Sequence, residues 1–480
     1  MISLALVAEQ WVGAPPEQVF GLFGAGPGAG WAFDAGCDRI APGAAVTLRA
    51  PLGGTYRGEV EILGRIAVLR PPREIVVAHD LPWRGRLRFL FDAAPEGGTR
   101  LRLIADLDGD ALAWLMRRRG WPVAEEPSDG RHLVGLLTSK SGPGSVFAAA
   151  SENLARMAVD EINADGGIGG RAVRLVVGDD ATDAEVGAVE AARLARNGCR
   201  AIMATTTSAT FARVAHALAD SGVLLVHTLM NEGGLGRELL FQFGERPLGQ
   251  LQAAVAPLMR AAGGRRWFLA GDDYCWPQIS LACARRVIGE TGGVVAGQRL
   301  EPLGTREFGP LIEQILASRA DLVLSAFVGA DAVAFERQCH QLGVRARCRT
   351  LSLAMDEPTR ERIGDRAAAG IWAVSGYFEQ VPVEANTAFL TRYRAAYGPW
   401  AAPVSSISES VYEALHLYAA AARRCRDENQ ASVARELRSR RLCFPRGTVT
   451  VSGPERVRQD LYLAEARPGG FDLTPARTCQ

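Results

Sequence analysis

The sequence predicts an α/β protein with parallel sheets from about residue 131 onward, preceded by a smaller α+β domain. Three observations lead there. A strand-loop-helix-turn-strand unit lies between Arg131 and Asp180. The same alternation of short apolar runs and amphipathic stretches continues towards the C-terminus. Residues 1–118 read differently, with period-2 segments set between turn signals.

The unit opens with Leu133-Val134-Gly135-Leu136-Leu137, an apolar run that suits a buried parallel strand. A polar loop follows, Thr138-Ser139-Lys140-Ser141-Gly142-Pro143-Gly144-Ser145. Phe147, Ala150, Leu154, Met157, Ala158 and Ile162 then recur at helical spacing, which gives one apolar face. Asn163-Ala164-Asp165-Gly166-Gly167 stops that helix, since Asn and Gly tolerate a left-handed cap. Ile168-Gly169-Gly170-Arg171 turns the chain into a second strand at Arg174-Leu175-Val176-Val177. Such crossovers are right-handed, and open α/β sheets hold ligands in the loops after their strands.

Further on, residues 183–196 form a helix stopped by Asn197-Gly198, and Ala201-Ile202-Met203-Ala204 a strand. Ser208 can cap a helix carrying Phe211, Val214 and Leu218. Val223-Leu224-Leu225-Val226 is the next strand, and residues 248–262 a helix. Trp267-Phe268-Leu269-Ala270 and Leu322-Val323-Leu324-Ser325 are strands, with helices at 279–291 and 308–318. Residues 408–423 form a long helix.

The N-terminal region begins with a strand and then a helix at Ala14-Pro15-Pro16-Glu17-Gln18-Val19-Phe20-Gly21-Leu22-Phe23, with Pro in the first turn. Thr55-Tyr56-Arg57-Gly58-Glu59-Val60-Glu61-Ile62, Arg86-Leu87-Arg88-Phe89-Leu90-Phe91 and Thr99-Arg100-Leu101-Arg102-Leu103 alternate polar and apolar residues. Residues 110–119 close the region as a short helix. This is an α+β helix-grip layout. Residues 119–130, with Pro122, Glu125-Glu126-Pro127 and Asp129-Gly130, read as a linker.

The bulk numbers exclude several functions. The 480 residues are 48% hydrophobic and 22% charged, as in ordinary globular proteins, and the net charge of +1 offers no handle for nucleic acid or an anionic membrane. No apolar run approaches the roughly 18 residues of a membrane span. The first ten residues lack basic residues ahead of the apolar part, and Glu9 interrupts it, so they do not read as a secretory signal. The nine cysteines show no C-x-x-C and no Cys/His cluster. No metal or cofactor is expected, and free thiols point to the cytoplasm. There is no G-x-S-x-G elbow, H-E-x-x-H or Walker loop, so an enzyme is not expected.

Val134-Gly135-Leu136-Leu137, the Ser141-Gly142 loop and Glu161-Ile162-Asn163-Ala164-Asp165-Gly166-Gly167-Ile168-Gly169-Gly170-Arg171 resemble the opening of type I periplasmic binding proteins. Within that superfamily they resemble the branch of amide sensors and of urea, short-amide and branched-chain amino-acid receptors. The resemblance runs to about Leu473, where Phe444-Pro445-Arg446-Gly447-Thr448-Val449-Thr450-Val451 and Gly469-Gly470-Phe471 match the terminal hairpin. It implies a domain at 131–480 with two lobes and three crossings between them. Lobe 1 would take about 131–250 and 380–440, and lobe 2 about 251–379 and 441–475. Residues 1–118, through the 14–23 stretch, resemble the START-like, polyketide-cyclase-like superfamily, whose members keep an apolar cavity under a long C-terminal helix. Here the closing helix is short.

In a two-lobed protein, strand-end loops from both lobes grip the ligand. The first loop offers Ser141. The second, Thr205-Thr206-Thr207-Ser208, brings Thr206, Thr207 and Ser208 to a helix N-terminus, where hydroxyls and free amides suit a carbonyl or carboxylate oxygen. In the resembled amide sensors the serine matching Ser208 lies in the pocket; Ser208 can also simply cap its helix. The third loop offers His227, Thr228 and Leu229. The family often has a threonine at the Leu229 position, so the ligand here is expected to be less polar. A lone histidine at a strand end is usually structural or merely solvated. The fourth, Gly271-Asp272-Asp273-Tyr274-Cys275-Trp276-Pro277, resembles the second-lobe pocket loop. Tyr274 and Trp276 supply flat apolar faces with one polar handle each, or else pack the hinge. Phe327 and Val328 add the last wall. Amino-acid receptors of the class place a carboxylate after the strand matching Arg349-Thr350-Leu351-Ser352. Here Ser352-Leu353-Ala354-Met355 stands there, which favours a neutral amide or apolar acid, unless Asp331 substitutes.

The expectation is a non-enzymatic protein that closes two lobes on an amide, urea derivative, short carboxylate or amino acid, as a cytoplasmic sensor with a regulatory protein as partner and a possible homodimer. Its rivals are the substrate-binding component of an ABC-type transporter, partnered by a permease and periplasmic if the true start differs, and a START-like lipid-binding or cyclase enzyme with a regulatory module.

Overall fold

The computed structural model describes residues 4–24, 34–37, 39–51, 59–121, 123–124, 128–425, 429–455 and 457–476. Residues 55–58 of an expected strand, and Pro122 and Glu125-Glu126-Pro127 of the expected linker, lie outside these. The chain divides into two compact units. One is Met1–Glu126 with Lys140–Gly142; the other is Pro127–Ser139 with Pro143–Gln480.

The first unit runs β1 (Leu4–Val12), α1 (Pro16–Gly21), β2 (Asp34–Gly36), β3 (Ala45–Pro51), β4 (Glu59–Arg70), β5 (Glu74–Leu81), β6 (Gly85–Ala93), β7 (Thr99–Leu107) and α2 (Gly109–Arg118). Its seven strands form one antiparallel sheet in the order β1-β7-β6-β5-β4-β3-β2. Alternation decides which face is covered: Thr99, Leu101 and Leu103 are buried while Arg100 is exposed. The α1 helix starts on Pro16, where a missing N–H costs nothing, and Asp108 caps α2 by accepting the Ala111 N–H at 2.9 Å. Aromatic rings fill the space between sheet and helices. Phe20 meets Phe91 at 5.3 Å, Phe23 meets Phe89 at 5.1 Å, and Trp83 meets Trp114 at 5.4 Å.

The second unit holds two parallel sheets. The first lobe begins β8 (His132–Thr138), α3 (Ala148–Ala164), β9 (Val173–Asp179), α4 (Ala184–Arg196), β10 (Ala201–Thr205), α5 (Ser208–Ala217), β11 (Leu224–His227) and β12 (Leu240–Gln242). Its sheet has the order β12-β11-β10-β8-β9, all parallel. The second lobe follows with α6 (Pro247–Ala262), β13 (Arg266–Asp272), α7 (Cys275–Glu290), β14 (Val294–Glu301), α8 (Gly309–Ala317), β15 (Leu322–Ala326), α9 (Gly329–Gln341), β16 (Arg349–Ser352), α10 (Glu357–Ile363), α11 (Asp365–Ala368) and β17 (Ile371–Ser375). The chain then supplies α12 (Glu384–Tyr397), α13 (Ser406–Ala422) and α14 (Gln430–Leu437), with α12 and α13 packed against α3 of the first lobe. It ends with β18 (Arg441–Phe444), β19 (Gly447–Val451), β20 (Val457–Arg458), β21 (Leu461–Arg467) and β22 (Gly470–Ala476). The second sheet has the order β14-β13-β15-β16-β17-β21-β22, in which β21 alone runs against the other strands.

Two details differ from the expectation. The β18–β19 hairpin forms its own small sheet with β20, and β18 packs on α13; the chain enters the second sheet only at Leu461. The helix expected from Ile279 begins at Cys275, because Tyr274 takes an extended N-cap conformation directly after β13. Trp276 is therefore helical.

The turn after α3 is built by side chain and backbone together. Asn163 donates to the Val173 carbonyl at 2.9 Å and accepts the Val173 N–H at 2.6 Å, stitching the helix end to β9. Gly167 has φ +70°, and a Cβ there would lie 2.1 Å from the Arg171 carbonyl oxygen, so no other residue fits.

The chain crosses between the lobes after Glu245, after Ser375 and again between β20 and β21. Buried polar groups tie all three crossings together. Glu245 accepts the Gly376 N–H at 2.8 Å and the Ser375 hydroxyl at 3.2 Å. Arg446 donates to Gln459 Oε1 at 2.8 Å and lies 3.8 Å from Glu245. Its Nε is 2.9 Å from Glu409 and 2.8 Å from Glu413 of α13. Although burial opposes its charge, these carboxylates hold Arg446 above the ordinary arginine value. Burial is also the largest influence on Glu409, lifting it to about 7 against the pull of Arg446, and burial raises Glu413 well above its ordinary value too.

Two outcomes are expected. A fragment ending near Pro122 should be soluble and unfold cooperatively, because its aromatic core closes without other residues; a molten, dye-binding fragment would contradict this. Arg446→Met should lower the unfolding free energy in urea by about 3–5 kcal/mol, the cost of leaving a buried carboxylate pair without its cation.

Candidate ligand-binding site

Parallel strands end on one edge of each sheet, and here the two edges face each other. The 3-10 turn Pro143–Phe147, which follows β8, packs on α9, which follows β15, and α5 touches α7. Gly329 opens α9 with φ +55°, and a Cβ there would sit 2.0 Å from the Pro143 carbonyl oxygen. A glycine is needed for the lobes to approach this closely.

On the first lobe, Thr207 is the cap of α5, accepting the Thr210 N–H at 3.3 Å and donating to the Thr210 hydroxyl at 3.1 Å. This corrects the expectation that Ser208 does so. Ser208 is the first helical residue, and its buried hydroxyl has no hydrogen-bond partner among the described residues. The same holds for the hydroxyls of Thr206, Thr138 and Ser145. Buried hydroxyls are rarely left so, since each costs about 1–3 kcal/mol unpaired. Thr205 and Thr228 satisfy each other at 2.9 Å and rivet the ends of β10 and β11. Leu229 lies in the apolar core shared with Phe147, Trp276 and Val328, and its carbonyl accepts from Asn231 at 3.0 Å.

His227 faces the other side of its sheet. It stacks on Phe211 at 4.1 Å, and its Nε2 is 2.8 Å from the Thr206 carbonyl. That carbonyl can only accept, so Nε2 carries the proton. The ring thus positions the Thr206–Ser208 loop from beneath. Burial lowers its pKa to about 4, aided by the Arg246 charge and opposed by the Thr206 bond.

On the second lobe, Trp276 is 1% exposed, and its indole N–H has no partner among the described residues. Its ring packs inside the apolar core drawn from both lobes, deeper than a position at a pocket mouth. Tyr274 borders that core as the N-cap of α7, and burial raises its pKa well above the usual value. Val328 N–H donates to Asp272 at 2.9 Å. Phe327 points into a different core, where it meets Phe308 at 5.0 Å and Phe335 at 4.6 Å. Asp331 accepts the N–H groups of Gly304 at 2.7 Å and Thr305 at 3.0 Å. Burial, then the neighbouring Asp331, raises Asp272 well above its ordinary value. Asp356 caps α10 through the Thr359 N–H at 3.0 Å, and burial lifts it to about 6.

The expected residues thus separate. Thr206, Thr207, Ser208, Thr228, Leu229, Tyr274, Trp276 and Val328 lie along the facing edges. His227 and Phe327 stand behind them. Ser141 groups with the N-terminal unit. Ser145, Thr138 and the Asp272–Asp331 pair escaped sequence reasoning. The hydroxyls sat in a loop rich in hydroxyls with nothing to rank them, and the paired aspartates are 59 positions apart.

The buried histidine has a pH signature. The unfolded chain protonates near 6.5 and the native His227 only near 4, so its contribution is complete above 6.5 and is lost as pH falls towards 4. In urea titrations, the stability advantage of the native protein over His227→Gln should shrink across that window. An advantage independent of pH would show that His227 titrates normally.

Comparisons with known proteins agree with this fold. A Leu/Ile/Val-binding protein of Rhizobium johnstonii is 27% identical over 218 residues, 44% of this chain and 59% of the relative. A homologous Leu/Ile/Val-binding protein of Brucella melitensis is 24% identical over the same length. The chain thus spans about three fifths of these curated relatives. A branched-chain amino acid transporter substrate binding protein from Streptococcus pneumoniae, in complex with isoleucine, superposes with a TM-score of 0.64 at 20% identity, covering 72% of this chain and 99% of that one. A solute binding protein of an ABC transporter from R. palustris, in complex with 4-hydroxybenzoate, gives 0.65 at 19% identity, covering 73% and 96%. Those likenesses describe the fold. Residues 133–470, well over half of the chain, match the periplasmic binding protein family, and the protein belongs to that family.

Proposed function

We propose that the chain is the substrate-binding component of an ABC-type transporter, taking a small ligand that joins a carboxylate or amide to an apolar body. The observation that carries this is the pair of buried, unpartnered hydroxyls on Thr206 and Ser208 at the N-terminus of α5. Hydroxyls there, with the first amides of a helix, suit an oxygen that carries negative charge. Leu229, Trp276 and Val328 provide the apolar surround from both lobes, and the indole N–H of Trp276 adds a donor. The ligands named for the relatives, leucine, isoleucine and valine, and 4-hydroxybenzoate for one structure, all share a carboxylate on an apolar body. Asp331 is engaged by two backbone amides and by Asp272, which leaves it poorly placed to meet an α-ammonium group. The reading therefore favours acids and amides that lack one. A permease is the partner this reading requires, and the N-terminal unit, with its sheet gripped by α1 and α2, is read as START-like.

A cytoplasmic sensor is the second reading. Cys275, Cys283, Cys339, Cys348 and Cys443 are free thiols, which suits a reducing compartment. Cell fractionation separates the two: the transport reading requires the protein outside the cytoplasmic membrane.

Isothermal titration with isovalerate, benzoate, isobutyramide, leucine and isoleucine tests the ligand class. We expect saturable binding of the acids and amide, at least tenfold tighter than of the amino acids. Ser208→Ala should weaken it by about tenfold, the loss of roughly one hydrogen bond to a charged group, with little change in melting temperature. Silence across the panel from a folded protein would refute the reading.

A further inference from the structure

The sheet of the N-terminal unit ends on an unprotected strand. β1 stands last in the order β1-β7-β6-β5-β4-β3-β2 and pairs with β7 alone among the described residues. Its other edge presents a row of N–H and C=O groups to water, a ready template for a further strand. Every residue from Leu4 to Trp11 is exposed.

Edge strands are normally kept apart by shortness, a bulge, a proline or unpaired charge. β1 has none of these. It runs nine residues without proline, and its register with β7 continues unbroken from Leu4 opposite Leu107 to Val12 opposite Thr99. Its single charge, on Glu9, lies 3.4 Å from Arg100 of β7 and is balanced there. Both faces of the strand carry apolar side chains. Leu4 is 46% exposed and Leu6 52%, opposite Leu107 and Ala105 on one face; Val7 is 61% exposed and Trp11 56% on the other. The Trp11 indole N–H donates to the Gly97 carbonyl at 3.1 Å, which orders the ring on the surface.

The lengths of the two edge strands select the partner. β2, at the far edge of the sheet, has three residues, so head-to-tail pairing of β1 with β2 of another copy would leave most of β1 unmatched. Antiparallel pairing of β1 with β1 matches the strand to itself about a two-fold axis, and such contacts close as dimers. With the axis at Ala8 all nine residues pair. Trp11 then faces Ala5, Leu4 faces Val12, Leu6 faces Gln10 and Val7 faces Glu9, so large side chains meet smaller or flexible ones and no like charges stand opposite. The contact is about 30 Å long at the usual rise per residue but one strand wide. That is a smaller contact than the roughly 800 Å² per partner of a standard interface, so the association is reversible.

We propose that β1 is a self-association surface, on which two copies of the chain join their N-terminal sheets by antiparallel pairing of β1 with β1 about Ala8. The proposal uses no residue of the candidate ligand site and is independent of the ligand taken there.

The full chain is followed by sedimentation across a dilution series, with amide hydrogen exchange of the Leu4–Val12 segment measured at both ends of it. We expect a monomer–dimer equilibrium, with exchange in this segment slowing as the dimer forms. Ala8→Lys, at an exposed position, brings two like charges together on the axis and should weaken the dimer at least tenfold. Ala8→Glu should do the same, and an equal mixture of the two variants should associate again. A monomer at every concentration would overturn the proposal, as would a dimer in which β1 exchange does not depend on concentration. A dimer that neither substitution weakens would overturn it too. The exchange measurement needs no variant, so it decides the matter even where a substitution impairs folding.

Discussion

The arrangement of the second unit depends on one buried cation. Arg446 sits on the hairpin turn between β18 and β19, yet its guanidinium reaches all three passages between the lobes. Glu245 precedes the first passage and accepts from Gly376 in the second, while Gln459 stands in the third. Glu409 and Glu413 anchor the same guanidinium to α13. Removing charges from water is expensive, so a buried ionic cluster is weak evidence for stability as such. Its geometric consequence is clearer. These contacts form only when the three segments lie side by side, so the cluster specifies how the lobes are joined.

From that junction both sheets project the ends of their parallel strands toward each other. The first lobe supplies mainly hydroxyls and the second mainly rings and paired carboxyl groups. Ser208 illustrates how the two halves of a helix start are divided. Thr207 does the capping, so the Ser208 hydroxyl is released from the helix while held at its end. His227, neutral and buried, supports the same loop through the Thr206 carbonyl. The loop is thus rigid before any ligand arrives, which reduces the ordering cost of binding.

Close approach of the lobes carries its own constraints. Gly329 abuts the Pro143 carbonyl, and the Asp272–Asp331 pair ties Val328, Gly304 and Thr305 to the end of β13. Burial and the neighbouring Asp331 both disfavour the charged form of Asp272 in that dry position. Carboxyl groups used in this way organise backbone.

The sequence by itself determined the parallel α/β alternation, the helix end at Asn163–Gly167 and the strand-end loops that carry the hydroxyls, while the two lobes were implied by its resemblance to a known family. The first three are local signals: apolar period, a glycine at positive φ, a polar loop after a buried run. Tertiary structure alone decided which side chain in a loop does what. Phe327 follows a central strand as its neighbour Val328 does, yet it turns into the Phe308–Phe335 core. Trp276 reads as a loop aromatic but becomes helical and buried once Tyr274 ends β13. Ser208 and Thr207 are interchangeable as caps on propensity, and only the backbone course selects Thr207. The hinge cluster joins Glu245 and Arg446 to Glu409 and Glu413 of α13, and only the last two share a helical spacing that a sequence pattern could reveal. Periodicity and turn chemistry act within a few residues, whereas burial and charge pairing act across the fold, and those two decide a binding site.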